Sequence, residues 1–235
     1  MVAVGGVGEG TKSASLAHFL KRTIEHEIDA MCCTITCVLG PFKGGTSAFT
    51  ACIRALGAET GLATGWDGYP TWENDELAQI CRAAVAEPAL ALRKTSTEIQ
   101  NDLNGFLTDL LVDCVGIGHY VIKHPSLCMI LSELEAAMPG GHTLQYLSVQ
   151  RDASVVKQSL AEAGEAGGWE KTACNAAVDT IISTRDTFLA STSNTVVKFE
   201  YDTLIAEREK SVAALAEKLG LPGKNYDAAI AAITI

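Results

Sequence analysis

The chain has 235 residues and a mass of 24.8 kDa; 48% of its residues are hydrophobic and 20% are charged. This length and composition are typical of one folded domain with a substantial core. The formal net charge of −10 argues against general nucleic-acid binding, which needs a basic surface. No apolar run approaches the roughly 18 residues of a membrane span.

Cysteine usage and the first residues indicate the setting of the protein. The eight cysteines lie in apolar segments, without the CxxC pairs or Cys/His clusters of a zinc site, so we interpret them as reduced, buried thiols. With no basic-then-apolar leader in the sequence, we expect a cytoplasmic protein. Residues 1–14 are glycine-rich and predict a flexible leader, and 15–235 predict a single α/β domain. That domain would begin with an amphipathic helix over 15–30.

The stretch from residue 31 to residue 57 is the centre of the predicted fold. Residues 32–39 are apolar and β-branched, which is typical of a buried strand. A glycine-rich turn follows, and a helix opens at Thr46 and Ser47 and closes at Gly57. A strand, a glycine-rich turn and a helix in this order form a cradle for a phosphate group, because free backbone N–H groups and the helix dipole face an anion. A turn of this composition that binds nothing is the alternative.

The remaining pattern predicts strands that alternate with helices. Residues 59–75 are too irregular for a regular element, and their aromatic side chains favour a loop that contacts substrate. Hydrophobic periodicity predicts the other elements: helices over 76–91, 95–111, 127–138, 154–165, 169–189 and 205–219, and strands over 120–123, 143–149 and 195–199. This alternation predicts a three-layer sandwich, P-loop-like, with a mostly parallel central sheet between helices.

Three basic residues follow the ends of predicted strands. Lys43, Lys123 and Arg151 each lie just past a strand. In parallel sheets the carboxyl ends of the strands meet at one edge, where ligands bind. We therefore expect these cations to converge on one anionic ligand of an acidic protein.

The turn itself resembles a known anion-binding loop. A nucleoside-triphosphate loop would carry lysine directly before the hydroxyl residue, in the pattern GxxxxGK[ST]. Here Thr46 takes that place and Lys43 lies three residues earlier. The run Pro41-Phe42-Lys43-Gly44-Gly45-Thr46-Ser47 instead resembles the 5′-phosphosulfate loop of sulfotransferases that use 3′-phosphoadenosine 5′-phosphosulfate (PAPS).

Further motifs extend this resemblance over about residues 33–222. Arg151 and Ser159 resemble the arginine at a strand end and the serine eight residues later that bind the 3′-phosphate in the family. The segment from Tyr69 to Leu77 is similar to the Asn-Pro-Lys-Gly-aromatic-Glu-Asn segment of bacterial members, and Ile122-Lys-His-Pro to their Lys-Asp-Pro strand end. The Phe-Glu-Tyr-Asp-Thr-Leu segment that begins at Phe199 is similar to their Tyr-Glu-Asp-Leu region. Phe42 replaces a frequent basic residue and His124 replaces the usual aspartate.

The resemblance implies in-line transfer of a sulfonate from PAPS, without a metal, to a hydroxyl or amine of a small molecule. It implies that the loop residues 41–47, with Lys43 as the main cation, bind the 5′-phosphosulfate and that Arg151 and Ser159 bind the 3′-phosphate. Lys123 is a second candidate for the same charge; a solvated lysine at a strand end is its alternative. Such donors stabilise the transition state as charge develops on the leaving phosphate.

The acceptor side leaves more alternatives open. Glu73 is the first candidate for the general base, although it could also be a surface carboxylate or a helix cap. His124 and Asp67 come next, and His119 is a weaker candidate. Aromatic residues in the predicted loop suggest contacts with a ring-containing sugar or secondary metabolite, and the predicted substrate-binding residues are Trp66, Asp67, Tyr69 and Trp72. Two competing functions remain. One is a metal-dependent P-loop kinase, and the other is a non-catalytic protein that binds sulfate or PAP, the desulfonated form of PAPS.

Overall fold

The computed structural model describes residues 32–66, 69–112, 118–166 and 168–233, without the side chains of 64–70 and 165–166. The predicted leader over 1–14 and helix over 15–30 lie outside these residues. The strands are β1 Thr34–Leu39, β2 Ala63–Trp66, β3 Tyr69–Asn74, β4 Val85–Ala86, β5 Ala91–Leu92, β6 His119–Ile122, β7 Thr143–Gln150 and β8 Thr195–Glu200. The helices are α1 Thr46–Ala55, α2 Asp75–Ala84, α3 Ser96–Val112, α4 Leu131–Ala137, α5 Ala153–Ala166, α6 Lys171–Leu189, α7 Tyr201–Ala206, α8 Arg208–Leu219 and α9 Tyr226–Ala232, with a 3₁₀ helix over Pro125–Met129.

Four strands form the central sheet in the order β6-β1-β7-β8, and all neighbouring pairs are parallel. Alternate residues of β1 enter two different hydrophobic clusters. Ile35, Cys37 and Leu39 pack with α2, α3, α4 and α6, whereas Val38 packs with α1, α8 and α9. The sheet is therefore covered by helices on both faces. The predicted α/β sandwich around a parallel sheet is confirmed, since strands buried on both faces carry the continuous apolar runs seen in the sequence.

Residues 59–75 differ from the predicted irregular loop. They contain an antiparallel hairpin of β2 and β3, with an irregular register between Thr64 and Trp66. Trp72 has a φ of 56°, which places a left-handed residue inside β3. The alternation expected of a strand is broken at such points, so the pattern could not reveal the hairpin.

The predicted helix over 76–91 is too long. Helix α2 begins at Asp75, where the side chain of Asn74 accepts hydrogen bonds from the amides of Glu76 and Leu77, and it ends at Ala84. The next residues form the short hairpin of β4 and β5. Pro88 explains the early end, because proline has no N–H for a helix and disfavours a helical conformation in the residue before it.

Two other predicted helices are divided. The helix predicted over 127–138 is a 3₁₀ turn and then α4, and the helix over 205–219 is α7 and α8, which meet at Glu207 with φ of −124°. Helix α9 is missing from the prediction. Its four alanines and one isoleucine gave too weak a periodic signal, although Ala229 is fully buried. In the part of the chain that the structure describes, no helix is long and apolar enough to span a bilayer.

Candidate functional site

The loop between β1 and α1 has the backbone geometry expected of an anion cradle, and it is called the cradle below. The amide of Gly44 donates to the carbonyl of Pro41 at 2.9 Å, and Lys43 and Gly45 have φ values of 60° and 90°. These left-handed conformations turn the chain so that Gly45 precedes the first residue of α1. Among the described residues no side chain caps α1, and its first turn holds no acidic residue. The first amides of α1 are therefore suited to an anion at this end of the helix.

Gly45 is the position in the cradle where a side chain is least tolerated. A Cβ at this φ of 90° would lie 2.1 Å from Cδ2 of Tyr201. We expect Gly45→Ala to lower the free energy of unfolding by about 1–3 kcal/mol and to weaken anion binding, since the loop must then shift. Urea unfolding and calorimetry with 3′-phosphoadenosine 5′-phosphate (PAP) measure both effects.

Gly105→Ala is the matched control for this prediction. Gly105 is exposed in α3, and a Cβ there would meet no atom within 4 Å. This variant should gain about 0.5–1 kcal/mol from helix propensity. Equal stabilities of the two variants would contradict the strained role of Gly45.

Arg151 follows β7 and contacts the backbone of the cradle. Its Nη1 donates to the carbonyl of Lys43 at 2.8 Å, and its guanidinium carbon lies 4.5 Å from the centroid of the Tyr201 ring. Its Nε atom is buried and has no hydrogen-bond partner. A buried guanidinium donor without a partner is costly, and it suits an anionic ligand with several oxygen atoms.

Glu73, Lys123 and His124, which the sequence analysis named as separate candidates, meet beside the cradle. Oε1 of Glu73 lies 2.7 Å from Nζ of Lys123, whose side chain is 4% exposed, and Oε2 lies 4.0 Å from Nε2 of His124. Strand β6 ends at Ile122, so the two residues after it are not held to opposite sides by the strand. Lys123 is therefore a buried, paired cation, and the alternative of a solvated lysine is wrong.

Burial governs the protonation of this cluster. Burial lowers the pKa of Lys123, whereas the charge and the hydrogen bond of Glu73 raise it. Burial lowers the pKa of His124 to about 4, although the charge of Glu73 opposes that shift. The His124 ring is therefore neutral at pH 7. Its Nδ1 accepts a hydrogen bond from the amide of Ser126 at 3.2 Å, so the ring proton resides on Nε2.

One cavity of about 700 Å³ joins the cradle to this cluster. The predicted residues that line it are Phe42, Lys43, Gly45, Thr46, Ser47, Glu73, Lys123 and His124. Ser47 also ties the cradle to the hairpin, because its hydroxyl donates to the carbonyl of Thr71 at 3.4 Å. The cavity is large enough for a small molecule beside an anionic group. Cradle residues and candidate acid–base residues thus face a common space.

Other predicted site residues lie elsewhere. Pro41 and Gly44 are buried within the turn, and Arg151 and Ser159 are not among the residues that line the cavity. Asp67 lies outside the described residues, and the side chains of Trp66 and Tyr69 are not described.

Two predicted roles have no support in the fold. Trp72 does not line the cavity; its ring lies under Arg54, with the guanidinium carbon 4.2 Å from the ring centroid, so an acceptor contact finds no support there. His119 as a base is wrong: it begins β6, at the edge of the sheet opposite the cradle, and its Nε2 lies 2.6 Å from Oγ1 of Thr36.

The structure adds residues that the sequence analysis missed. Polar additions come from α2 and from the turn after β4, and apolar ones come from α5 and the segment after it; these include Asp75, Arg82, Glu87, Leu160, Ala163, Gly164 and Trp169. The Trp169 ring stands edge-on to Phe42, with ring centroids 5.6 Å apart. Glu87 could not be found from the sequence, because the predicted helix over 76–91 hid its turn. Of these additional cavity residues, Trp169 was the one that the sequence could have indicated, because it is an aromatic residue directly after two glycines.

Within the described ranges, no group of three or more His, Cys, Asp or Glu side chains is arranged to hold a metal ion. Asp152 is the acidic residue nearest the end of β7, and its carboxylate caps the start of α5. Its Oδ1 accepts hydrogen bonds from the amides of Ser154 and Val155 and from the Ser154 hydroxyl. These hydrogen bonds lower the pKa of Asp152.

The structure is thus an α/β fold with a cavity beside the cradle, at the carboxyl edge of a parallel sheet. Several solved structures share this fold, and two of them are sulfotransferases. Sulfotransferase STF1 from Mycobacterium tuberculosis is 18% identical, with a TM-score of 0.62 over 91% of this chain and 74% of that one. The sulfotransferase domain from the curacin biosynthetic pathway is 13% identical, with a TM-score of 0.54 over 83% of this chain and 76% of that domain. The fold is therefore that of sulfotransferases, as the motifs implied.

Comparisons by sequence add nothing to this likeness. The chain matches no protein-family model and no curated protein. Structural similarity at such low identity establishes the fold, whereas the activity depends on the residues of the site.

Proposed function

We propose that this protein is a sulfotransferase that moves a sulfonate from PAPS to a small-molecule acceptor. The observation that carries the proposal is the cavity that joins the anion cradle to the cluster of Glu73, Lys123 and His124. One part of such a site binds the donor anion, and the other activates an acceptor. The sulfotransferase fold of the two solved relatives agrees with this arrangement.

The described residues fit the proposed donor. The uncapped first turn of α1 and the exposed side chain of Lys43 suit the 5′-phosphosulfate, and Thr46 and Ser47 add hydroxyl groups. The buried Nε of Arg151 without a partner suits the 3′-phosphate, with Ser159 on the next helix. When bound, PAPS supplies an activated sulfonate and a stable leaving phosphate.

The chain's own residues have separable roles in the proposed reaction. Lys43 and the cradle amides stabilise negative charge that grows on the leaving oxygen. Glu73 accepts a proton from the acceptor, and Lys123 holds one oxygen of that carboxylate at 2.7 Å and fixes its orientation. Phe42, Leu160 and Trp169 provide an apolar wall that excludes water from the cavity.

Calorimetric titration with PAP, alongside ATP with Mg²⁺, tests this proposal. Wild type should bind PAP, and Lys43→Ala and Arg151→Ala should each weaken binding at least about tenfold, since each removes a charged hydrogen-bond donor. Lys210→Ala is the matched control, because this side chain of α8 is 82% exposed and pairs with Glu207, the residue before that helix. The control should bind PAP like wild type.

Other outcomes of the titration decide between the competing functions. Binding of ATP with Mg²⁺ and not of PAP would overturn the proposal in favour of a kinase. Binding of neither ligand would overturn the proposal in favour of a glycine-rich turn that binds no nucleotide. PAP binding without PAPS turnover by any acceptor, unchanged by Glu73→Gln, would identify a non-catalytic binder.

A further inference from the structure

We infer that His124 and Glu73 together select a hydroxyl group as the acceptor, so that the product is a sulfate ester and not a sulfamate. This inference rests on the proposed sulfonate transfer and adds the chemical class of the acceptor. It depends on two atoms that face each other in the cavity, Nε2 of His124 and Oε2 of Glu73.

The first atom is a hydrogen-bond donor. A backbone amide can only donate, so the bond from the Ser126 amide to Nδ1 of His124 leaves that nitrogen without a proton. The ring proton of the neutral imidazole is then on Nε2. Burial of the ring, which lowers the pKa of His124 to about 4, keeps it neutral in the range where the enzyme would work. His124 is thus a donor and not the general base that its sequence position suggested.

The second atom is a hydrogen-bond acceptor. Oε1 of Glu73 is held by the ammonium of Lys123 at 2.7 Å, which leaves Oε2 on the side of the histidine. The distance of 4.0 Å from Nε2 to Oε2 exceeds a hydrogen bond. An oxygen atom about 2.8 Å from each of them completes both interactions.

A hydroxyl group matches this donor–acceptor pair as it reacts, because its oxygen has two lone pairs, and an amine does not. The hydroxyl donates its proton to Oε2 of Glu73 and accepts from Nε2–H of His124 with a lone pair. An alkylamine cannot make both contacts while it reacts. Its ammonium form has only donors, and the single lone pair of the neutral amine must attack sulfur, so neither form accepts a hydrogen bond from Nε2–H of His124 during the transfer. A buried polar group without its partner costs about 1–3 kcal/mol, which corresponds to roughly 5- to 150-fold in rate.

The transfer step balances with these two side chains alone. The acceptor oxygen forms a bond to sulfur while its proton passes to Oε2 of Glu73. The bond between sulfur and the leaving phosphate oxygen breaks, and its electron pair stays on that oxygen. The products are the sulfate ester and PAP, and the Glu73 proton then returns to solvent. No oxidant or reductant is required.

A second layer of contacts holds the histidine ring in place. The hydroxyl of Ser126, which is fully buried, donates to Oε1 of Glu87 at 2.5 Å, and the Ser126 amide is the group that fixes the ring of His124. Glu87 belongs to the turn between β4 and β5. Glu87 and Ser126 are therefore positioning residues that act through His124.

Nitrogen-15 NMR of the histidine rings tests the donor directly. The spectrum is recorded at pH 7.5 on the PAP complex, and the His124→Gln variant assigns the resonance by its loss. We expect the tautomer with the proton on Nε2. A proton on Nδ1, or an imidazolium, would overturn the inference whether or not an acceptor is known.

Turnover of matched acceptor pairs tests the selection. PAPS is supplied with benzyl alcohol or benzylamine, and with cyclohexanol or cyclohexylamine, and PAP release is measured. The alcohols should react at least about tenfold faster than their amines, and His124→Gln, which keeps an N–H donor, should retain more of the alcohol rate than His124→Leu. Faster sulfamate formation, or equal losses in the two variants, would overturn the inference. If no pair is turned over, the ring tautomer decides.

The failure of this inference differs from the failure of the proposed function. If the wild-type protein did not bind PAP, the proposed sulfotransferase function would be wrong. If the protein bound PAP but formed a sulfamate, the proposed function would stand and only the selection of a hydroxyl acceptor would be wrong.

Discussion

Replacing Glu73 by Gln should lower sulfonate transfer by about 10²–10⁴-fold while PAP binding stays close to that of wild type. The amide keeps the shape of the side chain and can still accept a hydrogen bond from Lys123, but it cannot take up the acceptor proton. The carboxylate lies beside the cradle and not within it, so donor affinity should change little. PAP release with an alcohol acceptor and calorimetry with PAP separate the two effects.

Glu73→Gln should also affect stability. The buried ammonium of Lys123 loses its counter-charge, so the free energy of unfolding should fall by up to about 3 kcal/mol. Rates must therefore be measured well below the Tm of the variant. Glu76→Gln is the matched control, because Glu76 is exposed on α2 three residues later. A loss of PAP binding as large as the loss of turnover would contradict the role of Glu73 as the base.

The free energy of unfolding should fall steeply as the pH decreases from about 6.5 towards 4. Burial lowers the pKa of both His119 and His124 from 6.5 to about 4. In that window the unfolded chain binds protons that the native protein does not, so protonation favours unfolding. The stability is fully present above pH 6.5 and is lost below it. Each histidine should contribute about 2 kcal/mol between pH 7.5 and pH 5.0.

Urea unfolding of wild type and of His119→Gln at pH 7.5 and pH 5.0 measures this contribution. His119 is buried at the start of β6 against Thr36 and Gln145, away from the cavity, and glutamine can replace its hydrogen bonds. The variant should lose about 2 kcal/mol less than wild type over this interval. A slope identical to that of wild type would show that His119 does not titrate as a buried neutral group.

The proposed donor site would bind an anion although the protein as a whole is acidic. The net charge of the chain is −10, yet the cradle side of the cavity presents Lys43 and the start of a helix. Glu73 does not oppose this local field, because Lys123 compensates its charge at 2.7 Å. The local arrangement of charge, and not the total, decides which ligand the site attracts.

Much of the fold followed from short-range signals in the sequence. The run over 32–39 predicted β1 because a strand buried on both faces must be apolar throughout, and the glycines after it predicted the cradle because only a few residues tolerate its left-handed turns. The positions of Lys43, Lys123 and Arg151 after strands followed from the same alternation. Parallel strands then place these three positions at one edge.

The composition of the cavity depended on the tertiary structure. Glu87 reaches Ser126 across 39 positions of the chain, and Glu73 reaches Lys123 across 50, so no local pattern could join them. The sequence pattern did not reveal the hairpin of β2 and β3, because its register is irregular. Nor did it reveal that the Trp72 ring packs against Arg54. The sequence by itself determined the sheet and the anion cradle, because both rest on local conformational preference. Only the folded chain decided which carboxylate, ammonium and imidazole face one another, because long-range packing sets those distances.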